Sequence, residues 1–195
     1  KKFLIRWDVH FPKRPLFPEI KDLKDAKSVL GYLESSLDSH VLKWEWILIN
    51  QIYIENEIKD HPRVQSILKK FKRKNPIFID KYASVFNKKN QNFRIQKKYP
   101  SLILSQKKAG YVLKTPADFG IGNSHNFYFS HMYNCLYDCE YCFLQGMYSS
   151  ADYVLFVNFE DFEEEIKEKI SFLKNEQVTF FSGYDCDSLA FEKIS

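Results

Sequence analysis
The chain has 195 residues, of which 45% are hydrophobic, 28% charged and 17% aromatic, a composition that supports a packed core and excludes an intrinsically disordered chain. Six Gly and seven Pro exclude collagen-like or low-complexity architecture. The net charge of +4 conceals three blocks: residues 1–60 balance to zero, residues 61–114 carry +14 and residues 115–195 carry −10.

A basic block of that size points to a polyanionic partner, with nucleic acid first in line. A Lys-rich solvated face is the plainer reading, and both stay open on charge alone. Apolar runs such as Tyr153 to Val157 fall far short of the roughly 20 residues that a membrane span needs. No charged-then-apolar leader opens the sequence. The four Cys are too few for a disulfide scaffold, which fits a cytoplasmic thiol pattern.

In chain order, residues 2–11 read as a strand, and Pro12, Pro15 and Pro18 mark a loop. Residues 19–38 place Ile20, Leu23, Ala26, Val29, Leu30 and Leu33 at helical spacing. Residues 44–56 are aromatic and β-branched, hence a strand. His61 to Lys74 reads as a short basic helix, ended by Pro76 and followed by an extended NPIFIDKYA segment. Residues 86–100 read as a polar basic loop. SLILSQ and GYVLK are short strands, and the turn-rich TPADFGIG segment (115–122) marks a boundary. Asn126 to Tyr133 is a strand candidate that runs into a Cys-rich loop. YVLFVN (153–158) is a second strand. Asn158 and Asp161 suggest an N-cap pair for a helix striped by Phe159, Phe162, Ile166, Ile170 and Leu173. On its wet side Glu163 and Lys167, and Glu165 and Lys169, stand at favourable i,i+4 spacing. QVTFFSGY (177–184) is the next strand. Strand, loop, helix, strand is α/β grammar, and chemistry in such folds sits beyond the C-terminal strand ends.

The sharpest motif is Cys135-Leu136-Tyr137-Asp138-Cys139-Glu140-Tyr141-Cys142, spaced C-x3-C-x2-C. Three thiols so close cannot satisfy one another as disulfides, but they can converge on a soft metal centre. A cubane iron–sulfur cluster held by three Cys leaves one iron open to a small molecule. Zinc is the other reading, with His131, Cys135, Cys139 and Cys142 as a closed site.

With an aromatic just before its third Cys, this motif resembles the radical S-adenosylmethionine superfamily. The CEYCFLQ run, the YVLFVNF segment and the acidic helix after it resemble spore photoproduct lyase and its relatives. The resemblance is weak from about Tyr53 and strong from about Phe127, and residues 1–50 have no counterpart in it. It implies that Cys135, Cys139 and Cys142 hold a [4Fe-4S] cluster whose open iron binds S-adenosyl-L-methionine. Reduction by an electron donor such as a flavodoxin or ferredoxin would then release a 5′-deoxyadenosyl radical. The implied activity is that of a lyase acting on a carbon–carbon bond: reversal of a thymine photoproduct in DNA. The implied site residues are Tyr141 lining the cofactor, Ser182, Gly183 and Asp185 near its amino group, and Cys186 or Tyr184 as hydrogen donor. Phe143 stands where the lyases carry a second Tyr, and Tyr184 aligns with the lyases' donor Cys. Cys186 lies two residues further on, on the same face if the strand continues.

The implied fold is α/β: an N-terminal α+β region followed by the first units of a partial (β/α)6 radical SAM barrel. The expected organisation is 1–60 of unassigned role, 61–122 as a basic α+β region and 123–195 as the start of the barrel. The sequence begins at Lys1 and stops soon after the motif, so the expectation is a truncated piece of a longer protein. Two alternatives stand beside this reading. One is radical chemistry on a non-DNA substrate, and the other is a zinc-stabilised nucleic-acid-binding module.

Overall fold
The computed structural model describes residues 49–191, apart from Lys72, Arg73, Ala117, Asp118, Asn123, Asp138, Glu140, Tyr141 and Asn175. The strand and helix expected within residues 2–38 lie outside the described residues. Strands β1 (Ile52–Glu55), β2 (Ile77–Ile79), β3 (Leu102–Ser105), β6 (Met132–Tyr133) and β7 (Tyr153–Phe156) form one sheet in the order β2-β1-β3-β7-β6. All its pairings are parallel except the edge pair of β6 with β7. Strands β4 (Leu113–Lys114), β5 (His125–Phe129) and β8 (Val178–Ser182) form a second sheet in the order β4-β5-β8, in which β5 and β8 run parallel.

Apolar residues on successive positions of β3 and β7 bury both faces of the larger sheet. One face sends Ile52, Ile54, Leu102, Leu104 and Leu155 against α1 (Pro62–Lys70), through Val64 and Ile67. The other sends Ile103, Val154 and Phe156 against Phe86 of α2 (Ala83–Phe86) and Phe162 of α4 (Phe159–Phe172). A fourth short helix, α3, covers Phe93–Gln96. Pro62 opens α1 at the position where its missing N–H costs nothing. His61 Nδ1 accepts the Arg63 N–H at 3.2 Å, and Lys69 and Lys70 sit in the last turn, where the helix dipole favours cations. The buried Glu55 carboxylate accepts the N–H groups of Tyr82 (2.7 Å) and Gln106 (3.0 Å), tying the C-terminal ends of β1 and β3 together.

The mixed α/β class with parallel strands matches expectation, with several differences, one of them the helix α3 inside residues 86–100, which were expected as a loop. Within the region before residue 122, expected as α+β, strands β1, β2 and β3 pair in parallel while β4 pairs antiparallel with β5 in the second sheet, and β7 joins the larger sheet from beyond the TPADFGIG segment. Asn126 to Tyr133 is not one strand. At Ser130 the backbone leaves the ladder, because the Ser130 side chain accepts the Asp185 N–H (2.7 Å) and its carbonyl accepts Lys107 Nζ (3.4 Å). The chain then re-pairs with β7 as β6. Finally, Asn158 makes no side-chain cap of α4. Its amide instead exchanges hydrogen bonds with both backbone groups of Lys107 and donates to Asp161 Oδ2. The i,i+4 pairs Glu163–Lys167 and Glu165–Lys169 form as expected.

Candidate functional site
The Cys loop leaves the C-terminal end of β6 and returns at the start of β7. Its neck is held by Asn134, a buried residue at φ 61, a left-handed conformation that Asn tolerates better than most side chains. The Asn134 Nδ2 donates to the carbonyls of Ser150 (2.8 Å) and Asp152 (2.7 Å), closing the loop across its base. Asp152 is itself buried and accepts from the Ser101 N–H (2.8 Å) and Gln96 Nε2 (2.7 Å). Burial pushes its carboxyl pKa up, against the pull of those hydrogen bonds.

Within the loop, the Cys139 carbonyl accepts the Cys142 N–H (2.9 Å) and Gln145 Nε2 (2.6 Å). This turn brings Cys135, Cys139 and Cys142 to one pocket, with Asn134 at its foot and Lys97 and Gln145 on its wall. All three are free, half-buried thiols. Burial pushes the Cys135 thiol up, while the N–H groups of Asp187 and Tyr137 act in the opposite sense. Among the described residues, no three His, Cys, Asp or Glu gather closely enough to hold one metal ion. His131 does not join the thiols. Its ring meets Phe159 edge-on at 5.5 Å, and burial lowers its pKa. The closed zinc site with His131 is therefore not assembled. Among the described residues the pocket lining offers three thiols and no fourth Cys, His, Asp or Glu, a donor set that fits a multi-metal cluster in which each thiolate binds a separate metal atom.

Beyond β8 the chain turns at Gly183 (φ +77), and the Cys186 N–H bonds back to the Gly183 carbonyl (3.3 Å). A Cβ at Gly183 would lie 2.6 Å from the Cys186 carbonyl oxygen, so glycine is required there. The turn ends the strand's alternation and separates Tyr184 from Cys186. The expectation that they share a face fails for that reason. Tyr184 is exposed, its ring 4.6 Å from that of Tyr128, on the wall of a cavity of about 170 Å³. Cys186 is buried in the core beside Cys135, and burial pushes its pKa well up, so the sulfur keeps its proton.

The cavity beside Tyr184 is lined by groups the motif did not reveal. Asp185 accepts from the Tyr148 hydroxyl at 3.0 Å. Tyr133 is pushed up to about 12, first by burial and then by Tyr82 and Asp185. Lys107 sits over the rings of Tyr133, Phe156 and Phe162 at 5.3–5.8 Å, and burial lowers its pKa. A sequence signal for Lys107 existed, since it closely follows the C-terminal end of β3, where α/β folds place their chemistry. Of the residues singled out in the sequence, Tyr184 and Asp185 meet in this cavity. Ser182 is exposed at the end of β8, and Gly183 serves the turn. Tyr141 lies outside the described residues. Phe143 is 77% exposed.

With this geometry in place, solved structures provide the comparison. A cysteine-to-serine variant of spore photoproduct lyase superposes with a TM-score of 0.58 at 15% identity, covering 75% of this chain and 43% of that one. A double variant of the same enzyme, with bound AdoMet and dinucleoside spore photoproduct, gives the same values. A spore photoproduct lyase complexed with dinucleoside spore photoproduct gives 0.56 at 15% identity, over the same shares of the two chains. The chain shares the fold of spore photoproduct lyase. It spans less than half the length of the spore photoproduct lyase chains it matches. No family model matches the sequence, and no curated protein matches it. No described helix is long and apolar enough to cross a membrane.

Proposed function
We propose that this chain belongs to a radical S-adenosylmethionine enzyme that reverses a thymine photoproduct in DNA. The observation that carries the reading is the meeting of Cys135, Cys139 and Cys142 on one pocket, in a fold shared with spore photoproduct lyase. Those three residues would hold a [4Fe-4S] cluster. When bound, such a cluster would supply the one electron that cleaves an S–C bond of S-adenosylmethionine into methionine and a 5′-deoxyadenosyl radical, the species that would take hydrogen from the substrate.

The chain's own groups fit the remaining tasks. Asn134 fixes the loop that carries the thiols. We assign the hydrogen-donor role to Tyr184, an exposed side chain that lines the cavity, over Cys186, which is buried in the core. Asp185 and Lys107 offer one acceptor and one cation to a ligand in that cavity. The basic block of residues 61–114 supplies charge for phosphate contacts, and a thymine lesion would leave the base stack to enter.

The test is anaerobic reconstitution of the full-length protein with iron and sulfide. It is then incubated with S-adenosylmethionine, a reductant and an oligonucleotide carrying the photoproduct. A brown, iron-loaded protein that forms 5′-deoxyadenosine and clears the lesion is the expected result. A colourless protein without iron overturns the reading. Formation of 5′-deoxyadenosine with the lesion intact keeps the radical chemistry and removes the DNA substrate.

A further inference from the structure
Helix α3 supplies one wall of the thiol pocket, through Phe93 and the following Lys97. None of its four residues is buried, and Ile95 is 65% exposed. Little apolar area therefore holds this wall, and polar contacts carry its attachment. The Gln96 amide works from both ends. Its Oε1 accepts the Ala151 N–H at 2.9 Å, and its Nε2 donates to Asp152 Oδ2 at 2.7 Å. Nε2 also donates to Gln91 Oε1 at 3.0 Å. Residues 150–152 are the limb on which the Cys loop returns to β7. Asp152 ties that limb in turn to the Ser101 N–H (2.8 Å), just before β3. One side chain thus joins α3 to the loop limb across 55 positions of sequence. A further tie, from Lys97 Nζ to Gln145 Oε1 at 3.0 Å, is exposed to solvent.

We propose that Gln96 is a positioning residue: by latching α3 to residues 151 and 152 it fixes this wall of the thiol pocket and limits the access of water to the three thiols. The energetics favour Gln96 over the exposed Lys97 tie. Asp152 is buried, so loss of the Gln96 amide leaves a buried carboxylate oxygen short of a donor, and a buried group left without its partner is costly. Lys97 and Gln145 would simply turn to water. Gln96 itself does not line the pocket and acts only through the limb it holds. Its effect falls on solvent access, and the shell around a metal site sets that access and with it the potential of the metal. The effect on a bound centre rests on the iron–sulfur reading above, whereas the effect on the thiols themselves does not.

The experiment compares the full-length protein with its Gln96→Met variant, which keeps the side-chain length and removes the amide. Ile103→Val, a core truncation in β3 that does not line the pocket, controls for lost stability. The two variants are compared at equal unfolding free energy, reached by adding urea to the more stable one. Iodoacetamide alkylation of the iron-free protein, read thiol by thiol by mass spectrometry, measures access. Buried Cys186 is the internal marker of an intact core. The expected result is faster alkylation of Cys135, Cys139 and Cys142 in Gln96→Met by about tenfold, with Cys186 still protected. That is the scale on which a local opening equilibrium moves when buried hydrogen bonds are lost. Ile103→Val should leave these rates near those of the parent. In the reconstituted protein, the reduction potential should rise in Gln96→Met, because water favours the more highly charged reduced state, and should hold in Ile103→Val. Unchanged thiol access in Gln96→Met overturns the proposal. So does an equal rise in Ile103→Val, which marks general loosening, or labelling of Cys186 together with the other thiols, which gives Gln96 to the whole fold. If the parent binds no iron, the functional reading fails, and alkylation still decides the latch.

Discussion
The backbone N–H of Asp187 donates to the Cys135 sulfur at 3.4 Å. This contact links the turn after β8 to the first thiol of the motif, across 52 positions of sequence. N–H groups aimed at ligand sulfurs stabilise the thiolate and are one of the means by which proteins tune iron–sulfur potentials. The turn that supplies this N–H depends on Gly183.

Gly183→Ala tests that dependence. The added methyl would meet the Cys186 carbonyl at 2.6 Å and the Ser188 nitrogen at 2.8 Å, in a backbone conformation that already disfavours a side chain. The expected cost is about 1–3 kcal/mol in urea unfolding, the scale of strained backbone positions. The turn must shift to relieve the clash, so the Asp187 N–H moves off Cys135. Unchanged stability would show that the turn is not built as described.

Asn134→Ala removes the two hydrogen bonds that close the Cys loop and places a residue less tolerant of positive φ at its neck. At about 1 kcal/mol for each hydrogen bond, the expected loss is roughly 2 kcal/mol. Because the thiols depend on this neck for their placement, iron retention after desalting should fall as well. Asn134→Gly relieves only the backbone strain and should recover only a minor part of the stability.

Much of this arrangement was legible in the sequence because it is local. Residues 62–70, 102–105, 153–156 and 159–172 follow period and breaker rules, and each thiol of the motif reaches the pocket through turns inside one loop. The connections that are not local could not be read. Nothing in Asn126 to Tyr133 announces that Ser130 will give its side chain to Asp185 and its carbonyl to Lys107, and so divide one apolar run between two sheets. Strand spacing put Tyr184 and Cys186 on one face, and the positive φ of Gly183 parted them. Tyr148 reaches the cavity only through tertiary packing, and no motif marks it.

Arg63 and Glu160 give a pH signature. The Arg63 guanidinium holds both Glu160 carboxylate oxygens, at 2.8 and 3.1 Å, and also donates to the Val157 carbonyl. Its hydrogen bonds are the main reason that the Glu160 pKa falls from 4.5 to about 2. A depressed carboxylate pKa stabilises the fold above the ordinary value of 4.5, and that contribution is lost as pH falls from 4.5 toward 2. Glu160 is 64% exposed, so solvent screening limits the pair to less than about 1 kcal/mol. Glu160→Gln should lower stability by that amount at neutral pH and match the parent near pH 2. An equal difference at both pH values would show that the charge plays no part.

Lys107 is half-buried, and no carboxylate lies within ion-pair distance of it among the described residues. Lys107→Met keeps the chain length while removing the desolvated charge, a change that is often neutral or stabilising. Stability at neutral pH should stay within about 1 kcal/mol of the parent, and, if the proposed function holds, turnover of the lesion should fall. Burial lowers the Lys107 pKa, so the fold disfavours its protonated form. In the parent, stability should rise as pH climbs through that lowered value toward 10.5. Denaturation curves at neutral and alkaline pH should show the rise in the parent and not in Lys107→Met.

Tyr184 and Cys186 part company in the last comparison. Tyr184→Phe removes only the O–H and keeps the ring 4.6 Å from Tyr128, so folding should be unchanged. If Tyr184 returns hydrogen to the product, the variant should still form 5′-deoxyadenosine from S-adenosylmethionine while repaired thymine falls sharply and side products accumulate. Cys186→Ala should act through packing. Its sulfur fills the core beside Cys135 and Phe191, and the loss should cost about 1 kcal/mol of stability, with product yield per radical retained. The reverse pattern, with product lost in Cys186→Ala and retained in Tyr184→Phe, would move the donor to the buried thiol. It would also require the turn at Gly183 to open during the reaction.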